Sequence, residues 1–314
     1  MKKDADRVLR IGLFLDAAFL PLCTSFVQKA ATALGLGEEE SMALTLAAEE
    51  IFAYLCRIAS PHQPLEIRCS SGRYYVQAEF TCPLEDFDMR FFNLTASVSP
   101  DDETSLEEMG LLIASRFVDR LDVRRAPNQG ILLSLVKEKD YPAVTEIGTD
   151  IGPEMKPEVQ APVPETAAEF SIEGADPENM KLFAQRVNAR FPAWLFPQSF
   201  RFPGKVVDMV AGGEYEAALA FGPGKRLQGG IVWHWASGKT VECYGPYLFG
   251  RGSVHAMADA LTEACIGAVA KTPAVGLVNP FPTPDLPREH FEVLGDLTLV
   301  DEKGAGIPLT SHFR

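Results

Sequence analysis

Between Tyr141 and Glu169 the chain carries five prolines, Pro142, Pro153, Pro157, Pro162 and Pro164, among many acids and almost no aromatic residues. Proline removes a backbone donor, and so polar a stretch has too little apolar surface to offset the entropy of ordering it. An extended linker is therefore expected over 141–169, with one domain over 1–140 and a second over 170–314. Either flank can hold a core of its own, since the 314 residues are 46% hydrophobic and domains usually run about 100 to 200 residues. Neither flank shows internal repeats or heptads.

The formal charge is -14, of which -7 falls on 1–140 and -5 on 141–169. Such a surface repels nucleic acid. Six cysteines, Cys23, Cys56, Cys69, Cys82, Cys243 and Cys265, are scattered without a CxxC pair, which fits reduced, buried thiols. At the N-terminus, Asp4, Asp6, Arg7, Arg10 and Asp16 interrupt the apolar run that ends at Cys23, and bulky Leu22 precedes that cysteine. Neither a signal peptide nor a membrane span is expected, and a cytoplasmic protein is.

Periodicity predicts a strand over Val8 to Leu15, a helix through Phe26, Ala30, Ala31 and Leu34, and a second helix through Leu44, Ala48, Ile51 and Leu55. Glu38, Glu39 and Glu40 suit the positive end of that second helix. A hairpin around Ser71-Gly72, a helix over roughly 105–121 and a strand over 130–136 complete the order β-α-α-β-β-α-β. The second half predicts a helix near 177–191, strands at 206–210, 215–221, 228–235 and 240–244, a helix over 253–271 and a short strand at 274–278. The fold class is α+β, with two α/β sandwich domains.

Leu46 to Ala59 reads LAAEEIFAYLCRIA. It resembles the helix of the GHKL, histidine-kinase-like ATPase domains of anti-sigma-factor serine kinases, whose pattern sets a glutamate and an asparagine four residues apart on one helical face, one to steer water and one to hold magnesium. Glu50 keeps the glutamate position, and Tyr54 stands at the asparagine. The family's adenine box aligns with Cys82 to Asp86, where neither its aspartate nor its glycines survive. Its phosphate loop aligns with Glu107-Glu108-Met109-Gly110, where Gly110 alone remains and two carboxylates lie where phosphates would. The resemblance covers nearly all of 8–138. With three boxes damaged it implies no Mg-ATP-dependent kinase activity, a residual nucleotide site at most at Glu50 and Gly110, and a protein partner, either a sigma factor or an antagonist of the anti-anti-sigma kind.

Thr240 to Val269 gives a strand, a Gly-Pro, the loop Gly250-Arg251-Gly252 and a long helix capped by Ser253. It resembles the pyrophosphate site of GNAT N-acetyltransferases, in which a strand splays and backbone amides at a helix start bind acetyl-CoA. His290 to Gly295 resembles that family's closing segment, with Phe291 in place of its tyrosine acid. The resemblance implies acetyl-CoA or another acyl-CoA at Gly250, Arg251, Gly252 and Ser253, with Glu242 or His290 as acid or base. An ordinary tight turn explains the same loop. His234, between Trp233 and Trp235 on a strand, faces away from both. The five histidines show no metal-ligand spacing, and no metal site is expected.

Two readings stand. One is a regulatory module, with a degenerate GHKL domain that binds a protein beside a GNAT-like ligand-sensing or accessory domain. The other is a CoA-dependent N-acyltransferase whose first domain recruits substrate. A homodimer is compatible with both.

Overall fold

The computed structural model describes residues 7–60, 62–84, 111–125, 130–145, 170–249, 254–300 and 306–313, with the backbone alone at 254, 294–300 and 306–313. The chain divides into two compact units, Met1–Asp140 and Tyr141–Arg314.

In the first unit β1 (Val8–Phe14) leads into α1 (Leu20–Ala33) and α2 (Glu38–Ile58), then β2 (Pro64–Ser71) and β3 (Tyr75–Cys82). A helical stretch α3 at 111–117 precedes β4 (Arg120–Arg125) and β5 (Ile131–Glu138). The sheet order is β1-β2-β3-β5-β4, and every neighbouring pair is antiparallel. Alternation explains its two faces. Leu65, Ile67 and Cys69 of β2 and Val76, Ala78 and Phe80 of β3 are buried with α2 residues Leu44, Ala48, Ile51 and Leu55. On the other face Arg68 sits opposite Glu79 and bonds it at 2.9 Å, while the Gln77 amide donates to Ser134 at 2.7 Å.

The second unit begins earlier than the expected domain boundary at 170. The Tyr141 hydroxyl donates to Asp208 at 2.5 Å, and the Val144 N–H donates to the Arg201 carbonyl at 2.9 Å. The rest of the expected linker, 146–169, lies outside the described residues. Then come β6 (Ser171–Gly174), α4 (Pro177–Arg190), α5 (Pro203–Gly212), β7 (Glu216–Gly222), β8 (Arg226–Trp235), β9 (Thr240–Leu248), α6 (Val254–Val269), β10 (Gly276–Asn279), β11 (Glu292–Val300) and β12 (Gly306–Phe313). The sheet order is β11-β12-β10-β9-β8-β7-β6. Among the described residues β9 and β10, joined through α6, pair in parallel, and the other pairs are antiparallel.

Both faces of the central strands are covered. Phe183, Val187, Phe200 and Val206, from α4, α5 and the turn between them, pack on one side with Leu219, Val232 and Tyr247. Met257, Leu261 and Cys265 of α6 pack on the other with Ala220, Ile231 and Cys243. That is why β7, β8 and β9 read as apolar runs rather than alternating ones.

Several expected elements change. Residues 206–210 belong to α5 rather than to a strand: Pro203 opens the helix and Gly213, at φ 76°, closes it in the left-handed conformation. The end of the expected 105–121 helix is β4, an edge strand whose charged residues alternate with Leu121 and Val123. β6, β11 and β12 are further strands, and β9 runs on to Leu248.

Phe183 is fully buried and meets the rings of Phe200, Tyr247 and Phe249 edge-on at 5.9, 5.9 and 5.8 Å. Phe183→Ala is expected to lower the stability of this unit by about 3 to 5 kcal/mol in urea unfolding, whereas Val275→Ala, at 74% exposure, should change it by less than about 0.5 kcal/mol.

Candidate functional site

In the first unit α2 sets Glu50 and Tyr54 one turn apart. The stripe through Leu44, Ala48, Ile51 and Leu55 turns this helix onto the sheet, and Tyr54, next to Leu55, goes with it. Its side chain is 2% exposed within the apolar core, and Glu50 is half-buried. The side chain at the position of the family's magnesium ligand is thus a core residue. Cys82, at the adenine box, is buried, and burial pushes its thiol up to about 12. Gly130 lies so close that an added Cβ would meet the Cys82 carbonyl oxygen at 2.5 Å. Glu107, Glu108 and Gly110 lie outside the described residues.

In the second unit β9 and β10 part. They pair over Thr240–Glu242 and Gly276–Val278, and beyond Glu242 β9 pairs with β8 alone among the described residues. Pro280, just after β10, has no N–H to extend the ladder, and Pro246, farther along β9, has none to resume it. Asn279 reaches across the gap and donates to the Gly245 carbonyl at 2.8 Å, while the Thr283 hydroxyl donates to the Pro246 carbonyl at 2.7 Å. Asn279 is fully buried, yet its Oδ1 accepts no hydrogen bond from the described residues. Such an unmet acceptor costs about 1 to 3 kcal/mol.

Glu242 stands where the parting begins, on the face toward α4 and α5. Its Oε2 accepts from the Tyr244 hydroxyl at 2.8 Å and lies 3.4 Å from His234 Nε2. His234 is opposite Glu242 in the β8–β9 register and stacks on Tyr244 with ring centroids 5.7 Å apart and an angle of 4°. Tyr215 meets His234 edge-on at 5.4 Å, and Phe281 stacks on Tyr244 at 6.4 Å. The Glu242 and His234 side chains remain 32% and 26% exposed. A carboxylate and an imidazole are therefore held on aromatic walls with access to solvent, an arrangement able to accept and pass a proton. Burial first, then the Glu242 hydrogen bond and charge, hold the Tyr244 phenol neutral well above the usual tyrosine range.

His290, the other expected acid or base, is not in this group. It ends a short turn before β11 and gathers instead with Asp259 and Glu289, their ligand atoms within 4.8 Å of one another. These three, which no spacing in the sequence brings together, are drawn from two segments distant in sequence. Gly250, Arg251, Gly252 and Ser253 lie outside the described residues. Sequence reasoning missed His234, Tyr244 and Asn279. Counting the hairpin register back from Glu242 finds the first two, whereas no sequence signal marks Asn279.

Residues 15–137 match the histidine kinase-like ATPase domain family. No curated protein matches the chain. Among solved structures, an aminoglycoside 6'-acetyltransferase type Ii is similar at 17% identity and a TM-score of 0.36, over 46% of this chain and 96% of that one. An aminoglycoside 6'-N-acetyltransferase complexed with coenzyme A is similar at 14% identity and a TM-score of 0.35, over the same shares. A chimeric spermidine N-acetyltransferase from Vibrio cholerae is similar at 9% identity and a TM-score of 0.35, over 46% of this chain and 95% of that one. The strand parting and the β9-α6-β10 crossover are the features that the resemblance to N-acetyltransferases implies for this half. None of the helices among the described residues is long and apolar enough to cross a membrane.

The Tyr244 phenol supplies a pH test. A folded-state value above the unfolded one leaves stability intact below the ordinary tyrosine value of 10.0 and removes it as pH rises beyond. Glu242→Gln removes the charge and weakens the hydrogen bond but leaves the burial, so the tyrosinate absorbance of Tyr244 should develop at lower pH than in the native chain. A titration identical in both chains would show that Glu242 does not act on Tyr244.

Proposed function

We propose that this protein is regulatory, and that its first domain binds a protein partner without using ATP. The observation that carries this reading is the burial of Tyr54 at the position of the magnesium ligand. For Mg-ATP to enter, the ring must leave the core and expose its apolar surface. That costs about 3 kcal/mol, a loss of about a hundredfold in affinity. Protein recognition does not need the pocket, because a surface formed by the outer faces of helices survives its closure. The partner that the resemblance suggests is a sigma factor or an antagonist of the anti-anti-sigma kind.

The test is calorimetry of Mg-ATP on the full chain, with no heat expected at millimolar nucleotide. Saturable binding at micromolar concentration would overturn the reading. A purified sigma factor that binds should do so equally with and without ATP.

The unmet Asn279 Oδ1 favours a second reading for the other domain, as a CoA-dependent N-acyltransferase or acyl-CoA sensor. The parted strands fit an amide-bearing arm, for which Asn279 Oδ1 is a ready acceptor. Bound acyl-CoA supplies an activated thioester, and Glu242, beside the parting, takes the proton that an acceptor amine gives up. On this reading coenzyme A raises the melting temperature of the full chain, Asn279→Ala weakens its binding about fivefold for one lost hydrogen bond, and Glu242→Gln leaves binding unchanged while stopping acyl transfer. Absence of any shift with coenzyme A would sink it.

A further inference from the structure

The carboxylates of Asp259 and Glu289 and the imidazole of His290 bring three ligand atoms within 4.8 Å of one another. The framework under them is firm. Asp259 belongs to α6, whose Met257 and Leu261 are buried in the core, and the turn at Arg288–His290 is flanked by Leu286 and Phe291, buried in that same core. Among the described residues no lysine or arginine pairs with either carboxylate. Two like charges held this close in a chain of charge -14 repel one another, and a cation between them removes that repulsion.

A second observation lies beside Asp259 on α6. Thr24, Thr32 and Thr45, the other helical threonines among the described residues, each donate to the carbonyl four residues back. Thr262 does not. It is fully buried, and its hydroxyl has no hydrogen-bond partner among the described residues. Thr262 follows Asp259 by three positions, so the two side chains are neighbours on the helix surface.

We propose that Asp259, Glu289 and His290 bind one divalent transition-metal ion of the zinc class, which fastens the turn before β11 to α6. Donor chemistry selects the ion. Magnesium and calcium take oxygen ligands and would find only two such side chains, whereas two carboxylates with an imidazole suit zinc. Nitrogen and oxygen ligands bind zinc at about 2.0 to 2.2 Å and so lie roughly 3 to 4 Å apart around it, a spacing that small side-chain rotations reach from the present one. Three protein ligands leave a position for water. Such a water can donate to the Thr262 hydroxyl oxygen, and Glu289, which is exposed, gives the ion a way in. None of the three residues belongs to the Glu242 group, so the site stands apart from the acyl-CoA reading.

Calorimetry with zinc chloride on the full chain, after treatment with a chelator, tests this. One ion per chain should bind, with magnesium or calcium chloride giving no heat at the same concentration. Asp259→Asn and His290→Gln should each weaken zinc binding at least tenfold while keeping the native circular dichroism spectrum, and Asp259→Glu, which keeps the carboxylate, should bind zinc better than Asp259→Asn. His234→Gln, which removes the imidazole of the other histidine–carboxylate pair, should bind zinc as the native chain does. Zinc should also raise the melting temperature of the native chain and not that of Asp259→Asn. No zinc binding, binding unchanged in both Asp259→Asn and His290→Gln, equal binding of magnesium, or its loss in His234→Gln would overturn the proposal.

Discussion

The ladder between β9 and β10 runs for three residue pairs and stops just short of Pro280, which has no N–H to continue it. Most of what distinguishes the second unit follows from that interruption. It frees the carbonyls of Gly245 and Pro246, which must find other donors because they are buried, and Asn279 and Thr283 supply them. Asn279 does so from a buried position, and its own oxygen meets no donor among the described residues. The prolines at 280, 282, 284 and 287 carry the chain away without a helix, and bring Phe281 onto Tyr244. The polar group of Glu242, His234 and Tyr244 thus borders a gap in a ladder rather than a dent in a surface.

How far the sequence discloses this depends on the scale of each feature. α2 is legible because Glu38–Glu40 open it and its apolar stripe is long. The hairpins are legible from alternation. α5 is not, because Val206, Val207 and Val210 have strand character, and Pro203 and Gly213, which settle the matter, lie outside that run. β4 is hidden because its alternation is only two apolar residues long, Leu121 and Val123, and Leu121 also continues the apolar pattern of the helix before it. The candidate site was half visible. Glu242 could be picked out as a lone carboxylate on a strand, but its company comes from register across a hairpin, and Asn279 from a break in pairing. Neither is a property of residue types in a row.

The thiols show the same distinction between residue and place. Cys23, Cys69 and Cys82 look alike in sequence and are all held at about 12 by burial, so they behave as small apolar side chains. Cys243 and Cys265 face one another between β9 and α6, and their mutual hydrogen bond, with burial, raises the Cys243 thiol further. No reactive thiol is needed for either proposed function.

The two units treat their inherited polar positions in opposite ways, and the energetics give that contrast meaning. In the first, the magnesium position has been given to Tyr54, whose ring joins the core and stabilises the fold by its burial. In the second, the Asn279 acceptor is buried and unmet among the described residues at a cost of about 1 to 3 kcal/mol, and an apolar replacement would trade that cost for an orphaned Gly245 carbonyl. A site that has lost its ligand drifts toward the first condition, because each filling substitution is stabilising. The Asn279 amide bond to the buried Gly245 carbonyl is one gain that retains the asparagine, and on the acyl-CoA reading proposed above a bound amide N–H at Oδ1 is a second of similar size.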